Sequence, residues 1–395
     1  MAYTRSKEFY DLIGNGLNQL GFTSFSAFVD RYFAEKYNAE KTFAEMGFPL
    51  NPSLPIQPTY EQLEATVRPY TMAGYVDIDS DGPTKSTDGM ALKMGQLPTF
   101  KHEITIGRKV LREQLFLADR IGAVNREIAD VAMEQLYNSV DDLLGGNYNT
   151  FAYQRHQIVS NKGKLVINAT NNPLGIPLEI DFGVPTKNIM TSKWYTKADA
   201  TGVVTEEAGI DPIKVLKDLI RNAKLKDNAP KGHFEMSQTT WDDLMQLPYF
   251  RTQWALVTYP TATQDSQSTL GSLATEAQIK SWLEAVIGAP ITVIDHIGSV
   301  EKFDPKQKKM VYDDLPSFEE GVIVYVPDGA IGDAQFGKPI YMETPGARVA
   351  LHDGGRTLIR QVFNDENMVQ TIKSEVCGLC VPNKTRWMYY LTVKG

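Results

Sequence analysis

Apolar side chains recur at threes and fours near the start of the chain and predict helices there. Phe9, Leu12, Ile13, Leu17 and Leu20 mark one stripe. Phe25, Phe28, Val29, Tyr32, Phe33 and Tyr37 mark a second, with Ser24 placed as its N-cap. Residues 1–46 thus read as two amphipathic helices. The pattern then changes abruptly. Pro49, Pro52, Pro55 and Pro58 recur every third residue, which is the period of polyproline II, a conformation without internal hydrogen bonds. This predicts a stiff extended arm. A rigid spacer lying across another surface is favoured over a ligand for a proline-binding domain.

Residues 60–110 read as strand, loop and strand. Val76 and Ile78 precede a polar, glycine-rich tip over 79–89. On the return, His102, Ile104 and Ile106 alternate with Glu103, Thr105 and Gly107. Two such strands bury little by themselves, so they are expected to lean on a neighbour. The longest helical signal follows: Ile121, Val124, Ile128, Val131, Met133, Leu136, Val140 and Leu143, up to Gly145-Gly146. A further helical stretch covers 149–160.

Strands are predicted over 164–167, 178–182 and 189–190. Asp211-Pro212 places an N-cap and a first-turn proline before Ile213, Leu216, Leu219, Ile220 and Ala223. Further helices are expected near 240–247 and 276–287. Residues 301–314, with Lys302, Lys306, Lys308 and Lys309, read as an exposed strand or hairpin, and strands return at 322–326, 340–342 and 388–393. The fold class is α+β in mixed order, and no internal repeat is visible.

Composition narrows the function classes. The chain has 395 residues, of which 42% are hydrophobic, and 48 acidic against 40 basic side chains give a net charge of −8. That is too apolar for a disordered chain and long enough for roughly two or three compact units. The acidic balance argues against tight non-specific nucleic-acid binding, which needs concentrated Lys and Arg. Residues 1–20 lack an apolar core of signal-peptide length, and the longest apolar run, 322–326, is too short to span a membrane. The two cysteines, Cys377 and Cys380, make no disulfide framework, and a reducing compartment is expected.

Candidate chemistry is sparse. Asp77-Ile78-Asp79-Ser80-Asp81-Gly82, with Asp88 at the twelfth place, resembles a calcium loop of the D-x-D-x-D-G type. Asp77, Asp79, Asp81 and Asp88 are the candidate ligands. Asp88 is shorter than the usual glutamate, Lys85 brings a positive charge, and the flanks read as strands, so a solvated acidic tip is the favoured reading. Gly332-Asp333-Ala334-Gln335-Phe336-Gly337-Lys338 matches most of a phosphate-binding loop. Pro339 stands where a hydroxyl residue should hold magnesium, so nucleotide binding is rejected and a turn between strands is expected. Cys377-Gly378-Leu379-Cys380 has no second C-x-x-C for zinc and is followed by Pro382, which favours two buried, reduced thiols. His102, His156, His233, His296 and His352 are scattered. Asp295-His296 and His352-Asp353 read as sequence neighbours only, and no catalytic residue is assigned.

The order of parts resembles a tailed-bacteriophage major capsid protein of the lambda-like branch, with the Hong Kong 97-type shell fold. Leu97-Pro98-Thr99-Phe100 and the strand through Ile106 resemble the return arm of that family's extended loop. The helical stretch 121–160 and Asn161-Lys162-Gly163-Lys164-Leu165-Val166-Ile167 resemble its spine helix and following strand. Trp194, then Asp211-Pro212-Ile213 and the helix to Ala223, resemble the start of the axial domain. Residues 321–326, Gly332 and Phe336-Gly337-Lys338-Pro339-Ile340-Tyr341 resemble its late strand, turn and strand, and 374–393 is similar to its closing strand.

The resemblance implies an N-terminal arm (1–60), an extended two-stranded loop (61–110), a peripheral domain with the spine helix (111–200), an axial domain (201–315) and return strands with the C-terminal strand (316–395). It implies a virion protein, not an enzyme, assembled in the host bacterial cytoplasm. Its partner would be itself, as hexamers and pentamers of an icosahedral shell. That shell would enclose double-stranded DNA without sequence-specific binding. A separate scaffold, a portal and decoration proteins are the further partners expected, with no membrane and no cofactor unless calcium sits at the loop tip. Arm and loop, having no core of their own, are expected to gain stability only across neighbouring subunits, so deleting 1–60 should leave the domains folded. Two alternatives stand beside this reading. One is an encapsulin-type compartment that stores an enzyme. The other, from a different class, is a calcium-dependent binding protein using the loop 77–88.

Overall fold

The structure is a computed structural model that describes residues 17–18, 21–34, 36–65, 90–106, 125–172, 174–198, 202–261, 269–304, 309–340, 347–364 and 369–395. In chain order the elements are α1 (Phe25–Phe33), α2 (Ala39–Glu45), β1 (Thr59–Ala65), β2 (Met90–Gln96), β3 (Thr99–Ile106) and α3 (Asn125–Ser160). Then come β4 (Lys164–Ile167), β5 (Leu178–Asp181), β6 (Ile189–Lys197), β7 (Val204–Glu206), α4 (Pro212–Asp227), β8 (Gly232–Ser237), α5 (Gln238–Gln246), α6 (Pro248–Thr258) and α7 (Glu276–Ile287). The chain closes with β9 (Ile291–Ile294), β10 (Ile297–Asp304), β11 (Lys309–Pro316), β12 (Val322–Pro327), β13 (Gly332–Phe336), β14 (Ala347–His352), β15 (Thr357–Asn364), β16 (Val369–Pro382) and β17 (Tyr389–Lys394). The mixed α+β class is the one the sequence predicts.

The chain divides into two compact units. The first combines 1–61, 94–152 and 333–381. Its sheet runs β13-β16-β15-β14, with β3 also pairing β16. The long strand β16 serves both, meeting β3 antiparallel from Gln370↔Ile106 to Cys377↔Thr99. Val76 and Ile78 of the expected outgoing strand lie outside the described residues. The alternating pattern of the return strand is that of a strand in a larger sheet, and among the described residues β1 pairs with β2.

Two further expectations are corrected in this unit. The second apolar stripe divides into α1 and α2 because Asn38 caps a new helix, accepting from the Lys41 N–H at 3.0 Å. Ser24 caps α1 as expected, accepting from Ala27 at 3.1 Å. More consequentially, α1 lies in its own unit's core. Phe25, Phe28, Val29 and Phe33 are buried with Leu136, Val140, Leu143 and Leu144 of α3 and with Ala350, Ile359 and Ile372 of the sheet. Four large apolar side chains on one short helix are costly to leave in water, and the chain's own apolar face covers them. Of the first stripe, only Leu17 and Asn18 fall among the described residues, and both are helical.

α3 runs unbroken through Gly145-Gly146 over 36 residues. Gly145 permits a close approach instead of ending the helix: a Cβ there would stand 3.2 Å from the Tyr37 hydroxyl, whereas one at 146 would make an ordinary 3.4 Å contact with the His102 ring.

The second unit combines 62–93, 153–332 and 382–395. Its six-stranded sheet has the order β7-β6-β17-β12-β8-β9. β12 is the apolar run of 322–326, buried at every position, as its central place requires. α4, α5, α6 and α7 cover the sheet through Leu216, Leu219, Trp241, Phe250, Trp254 and Leu283, and Trp194 is buried in the same core. The capping chemistry reads as expected. Asp211 accepts from Lys214 at 3.0 Å, Pro212 takes the first turn, and Asn228 closes α4 in the left-handed region. Thr275 and Gln278 form a capping box on α7. The hairpin β10–β11 matches the exposed segment around 301–314.

α6, β8, β9, β14 and β15 carry no clear period in the sequence and fall outside its expectations, and the closing strand expected over 374–393 divides into β16 and β17 at the turn Thr385–Trp387. Ile340 lies outside any strand, and 341–342 fall outside the described residues.

Candidate functional site

The proline segment shows how the arm is held. In the first unit it lies along β13. The Asn51 N–H donates to the Ala334 carbonyl at 2.9 Å and the Ala334 N–H to the Pro49 carbonyl at 3.0 Å. The Lys338 N–H donates to Pro55 at 2.9 Å and the Leu97 N–H to Pro58 at 2.8 Å. Side chains lock the register: Asn51 Nδ2 donates to Asp333 at 3.0 Å, and the Gln335 amide both accepts from the Glu61 N–H and donates to its carbonyl. Prolines cannot donate to a ladder, so the arm offers carbonyls to β13 and takes its donors from the residues between. The spacer reading of the arm agrees with this geometry. The surface beneath it is its own chain's.

The same contacts correct the reading of 332–338. Gly332–Phe336 is itself a strand, not a turn, and Gly337 follows with its N–H donating to the Cys377 carbonyl at 3.0 Å. A phosphate cradle needs backbone N–H groups turned outward at a helix N-terminus. These are committed to a sheet, which agrees with the rejection of nucleotide binding. Cys377 and Cys380 are buried and form no disulfide, as expected.

Asp77, Asp79, Asp81 and Asp88 lie outside the described residues, as does the tip they belong to. Among the described residues no group of three or more His, Cys, Asp or Glu side chains is placed to hold a metal ion. No described helix is long and apolar enough to cross a membrane.

The histidines are less scattered than the sequence suggests. In the second unit the His156 and His296 rings meet edge to face at 5.0 Å. Ser317 joins them, 3.0 Å from His156 Nδ1 and donating to the His296 carbonyl at 2.7 Å. Burial, the Arg155 guanidinium and His296 push the His156 imidazole down to about 3. Burial pushes His296 down as well.

Beside this pair, Arg155 forks onto Glu235 of β8, with Nη1 donating to Oε2 at 2.6 Å and Nη2 to Oε1. His233 lies 3.0 Å from Glu235 and 3.0 Å from Asp328. Burial alone would raise the Glu235 carboxyl. Arg155 and His233 more than offset it and hold the group well below its ordinary range. Hydrogen bonding to Glu235 holds His233 above its own, against the opposing effect of burial. Every member is paired, so the cluster is a structural tie between α3 and the sheet of this unit. One signal that could have found it is a glutamate between two large apolar residues, Phe234-Glu235-Met236.

In the first unit His352 is buried with its ring 3.2 Å from Asp353 and 3.6 Å from Asp30 of α1. The two residues read as mere sequence neighbours are thus in contact, because Asp353 turns back in the left-handed region at φ 55°. Tyr148 donates to Asp353 at 3.0 Å and stacks on Tyr37, whose hydroxyl donates to Asp141 at 2.8 Å. The pair anchors α1 to the sheet of this unit. Asp295 and His296 share no such contact among those described.

What remains unsatisfied is apolar surface. On the β1–β2 ribbon Leu63, Leu92 and Met94 are 48, 55 and 60% exposed. Three large apolar side chains on a two-stranded sheet mark a surface that is covered by something else.

No protein family's sequence pattern matches the chain, and no curated protein does. Among solved structures it is similar to a prophage protein of Escherichia coli CFT073 described as a capsid protein. That likeness has 12% identity and a TM-score of 0.49, covering 92% of this chain and 98% of that one. It is also similar to the capsid of Myoviridae phage XM1, at 11% identity and a TM-score of 0.41, covering 89% and 91%. An encapsulin complex from Synechococcus elongatus PCC 7942 is similar at 9% identity and a TM-score of 0.37, covering 86% and 83%. The first two are named for phage capsids, the kind of protein that the sequence resemblance implies.

Proposed function

We propose that this chain is the major capsid protein of a tailed phage, of the Hong Kong 97-type fold, and that its copies assemble as hexamers and pentamers into an icosahedral shell around packaged double-stranded DNA. The observation that carries this reading is the β1–β2 ribbon, which exposes Leu63, Leu92 and Met94 and, among the described residues, pairs with no third strand. A shell protein repeats one contact around a closed surface, and such a contact needs an apolar strap on each copy. The net charge of −8 suits a container that encloses DNA without gripping it. Chemistry is not part of the proposal: His233, Arg155 and the buried Glu235 are joined in one structural tie.

The test is assembly of the full chain, produced with its scaffold, followed by light scattering. Wild-type protein is expected to form capsomers and megadalton particles. Leu92→Asp together with Met94→Asp should leave the secondary structure intact and stop assembly at single chains or small capsomers. Assembly unimpaired by both aspartates would overturn the role given to the ribbon. The nucleic acid inside purified particles separates a phage shell, which protects DNA from nuclease, from an encapsulin-type compartment, which holds an enzyme.

A further inference from the structure

The hairpin β10–β11 pairs antiparallel from Ile297↔Pro316 to Asp304↔Lys309 and belongs to no larger sheet. Its two faces differ. Gly298, Val300 and Lys302 share the face turned to the body of the second unit. Gly298 is buried so closely on Tyr153 that a Cβ would stand 2.8 Å from the ring, and Lys302 Nζ donates to the Thr170 carbonyl at 2.9 Å. The opposite face carries Ile297, Met310 and Tyr312, all exposed, with Tyr312 at 68%. Among the described residues no strand pairs with the outer edge of β11, and six of its eight residues are exposed.

An edge strand that stays solitary is blunted by charges that repel a copy of itself, by internal proline or by a bulge. β11 has no proline before Pro316, its last residue, and its register with β10 has no shift. Asp313 accepts from Lys302 through Oδ2 at 3.1 Å within the hairpin and stays half exposed, which leaves its other oxygen for a partner's lysine, so the edge charges are self-complementary. A twofold axis normal to a sheet brings together residues of like parity, so Lys309 of one copy can face Asp313 of another but never Asp314. With the axis at Val311, Lys309 faces Asp313 twice, Met310 faces Tyr312 twice, and Val311 faces itself. Directly opposed residues of an antiparallel pair lie on one face with their Cβ atoms about 4.5–5.5 Å apart, close enough for both ion pairs and apolar pairs. Moving the axis to Met310 sets Lys309 against Val311. Moving it to Tyr312 sets Lys309 against Leu315 and Met310 against Asp314. Only one register satisfies both kinds of side chain.

We propose that the free edge of β11 pairs antiparallel with β11 of a second copy of this chain, on a twofold axis at Val311. The contact is isologous: each copy gives the same surface and receives the same surface. It adds main-chain hydrogen bonds by strand addition, with the charges fixing register. It stands whether or not the copies close into a shell, since it needs only two of them.

Cross-linking of the full chain tests it. The native cysteines are buried, so Val311→Cys, at a half-buried position on the edge strand, supplies the thiol that a second copy can meet. Mild oxidation is expected to give a covalent dimer on a non-reducing gel, reversed by reductant. Leu315→Cys is expected to stay monomeric, because its own counterpart would lie eight positions away, about 27 Å at the rise of a strand. Lys309→Asp or Asp313→Lys in the Val311→Cys background places like charges opposite one another and should lower the dimer yield about tenfold. The double swap should restore it. No dimer from a Val311→Cys chain with wild-type circular dichroism would overturn the proposal, as would equal cross-linking at 311 and 315 or a double swap that restores nothing. If Val311→Cys does not fold, the charge-swap series decides in the same way, read by sedimentation of the two-copy species.

Discussion

Arg155 and Glu235 form the strongest electrostatic commitment in the second unit, since both are buried and paired through two hydrogen bonds. Removing one partner of such a pair leaves a buried charge uncompensated. Glu235→Ala is therefore expected to cost about 3–5 kcal/mol, measured as a shifted urea midpoint at an unchanged slope. The His156–His296 pair makes a pH prediction whose sign is fixed by the direction of the shift. The folded state holds His156 down to about 3, against 6.5 for an ordinary imidazole, so the unfolded chain takes up the proton first as pH falls. Its contribution is complete above about pH 6.5 and is lost progressively toward pH 3, by about 2 kcal/mol at pH 5. His296 acts in the same direction, and His233, held high, acts oppositely by losing its contribution as pH rises. Chemical denaturation at pH 7 and pH 5 should show the loss in wild type and a flatter profile in His156→Gln. An unchanged slope in that variant would remove His156 as its source.

At the scale of elements, two glycines with opposite surroundings give a paired prediction. A Cβ at Gly146 in α3 would meet the His102 ring at 3.4 Å, an ordinary contact, so Gly146→Ala is expected to stabilise by about 0.5–1 kcal/mol through helix propensity. A Cβ at Gly378 in β16 would stand 2.8 Å from Phe151 and 3.0 Å from Phe336, two packed rings that cannot yield. Gly378→Ala is expected to destabilise by about 1–3 kcal/mol. Thermal melts of the two variants should move apart, in opposite directions from wild type.

Elements whose signal is local were legible in the sequence. Asp211-Pro212 fixed the start of α4, the run 322–326 identified a fully buried strand, and Ser24 capped α1. What pairs with what was not legible. His102, Ile104 and Ile106 revealed a strand through their alternation, but alternation has no address, and the partner lies some 270 positions along, in β16. Gly145-Gly146 read as a break because propensity ignores the neighbour that a missing side chain admits. The histidine and arginine ties were invisible for the same reason: they join residues 80 to 161 positions apart.

At the scale of the molecule, the arm changes meaning. Its apolar stripe was expected to wait for a neighbouring subunit, yet Phe28, Val29 and Phe33 are already buried in the core of the first unit. Deleting 1–60 should therefore unfold part of that unit, and Phe33→Ala alone should cost about 3–5 kcal/mol in the unassembled chain, read by denaturation at dilutions where no capsomer persists. A deletion that leaves the melting temperature unchanged would restore the earlier expectation. Among the described residues, the β1–β2 ribbon and the β10–β11 hairpin are two surfaces left for neighbours. Their exposed apolar side chains are the feature that composition could not reveal and that a repeating assembly would cover.

The central claim is that copies of this chain close into a shell. Electron microscopy of the purified full chain, produced with its scaffold, tests it most directly. Uniform particles of hexagonal outline, with capsomers visible on their surface, are the expected result. A chain that remains monodisperse and monomeric at high concentration, with scaffold present, would contradict it.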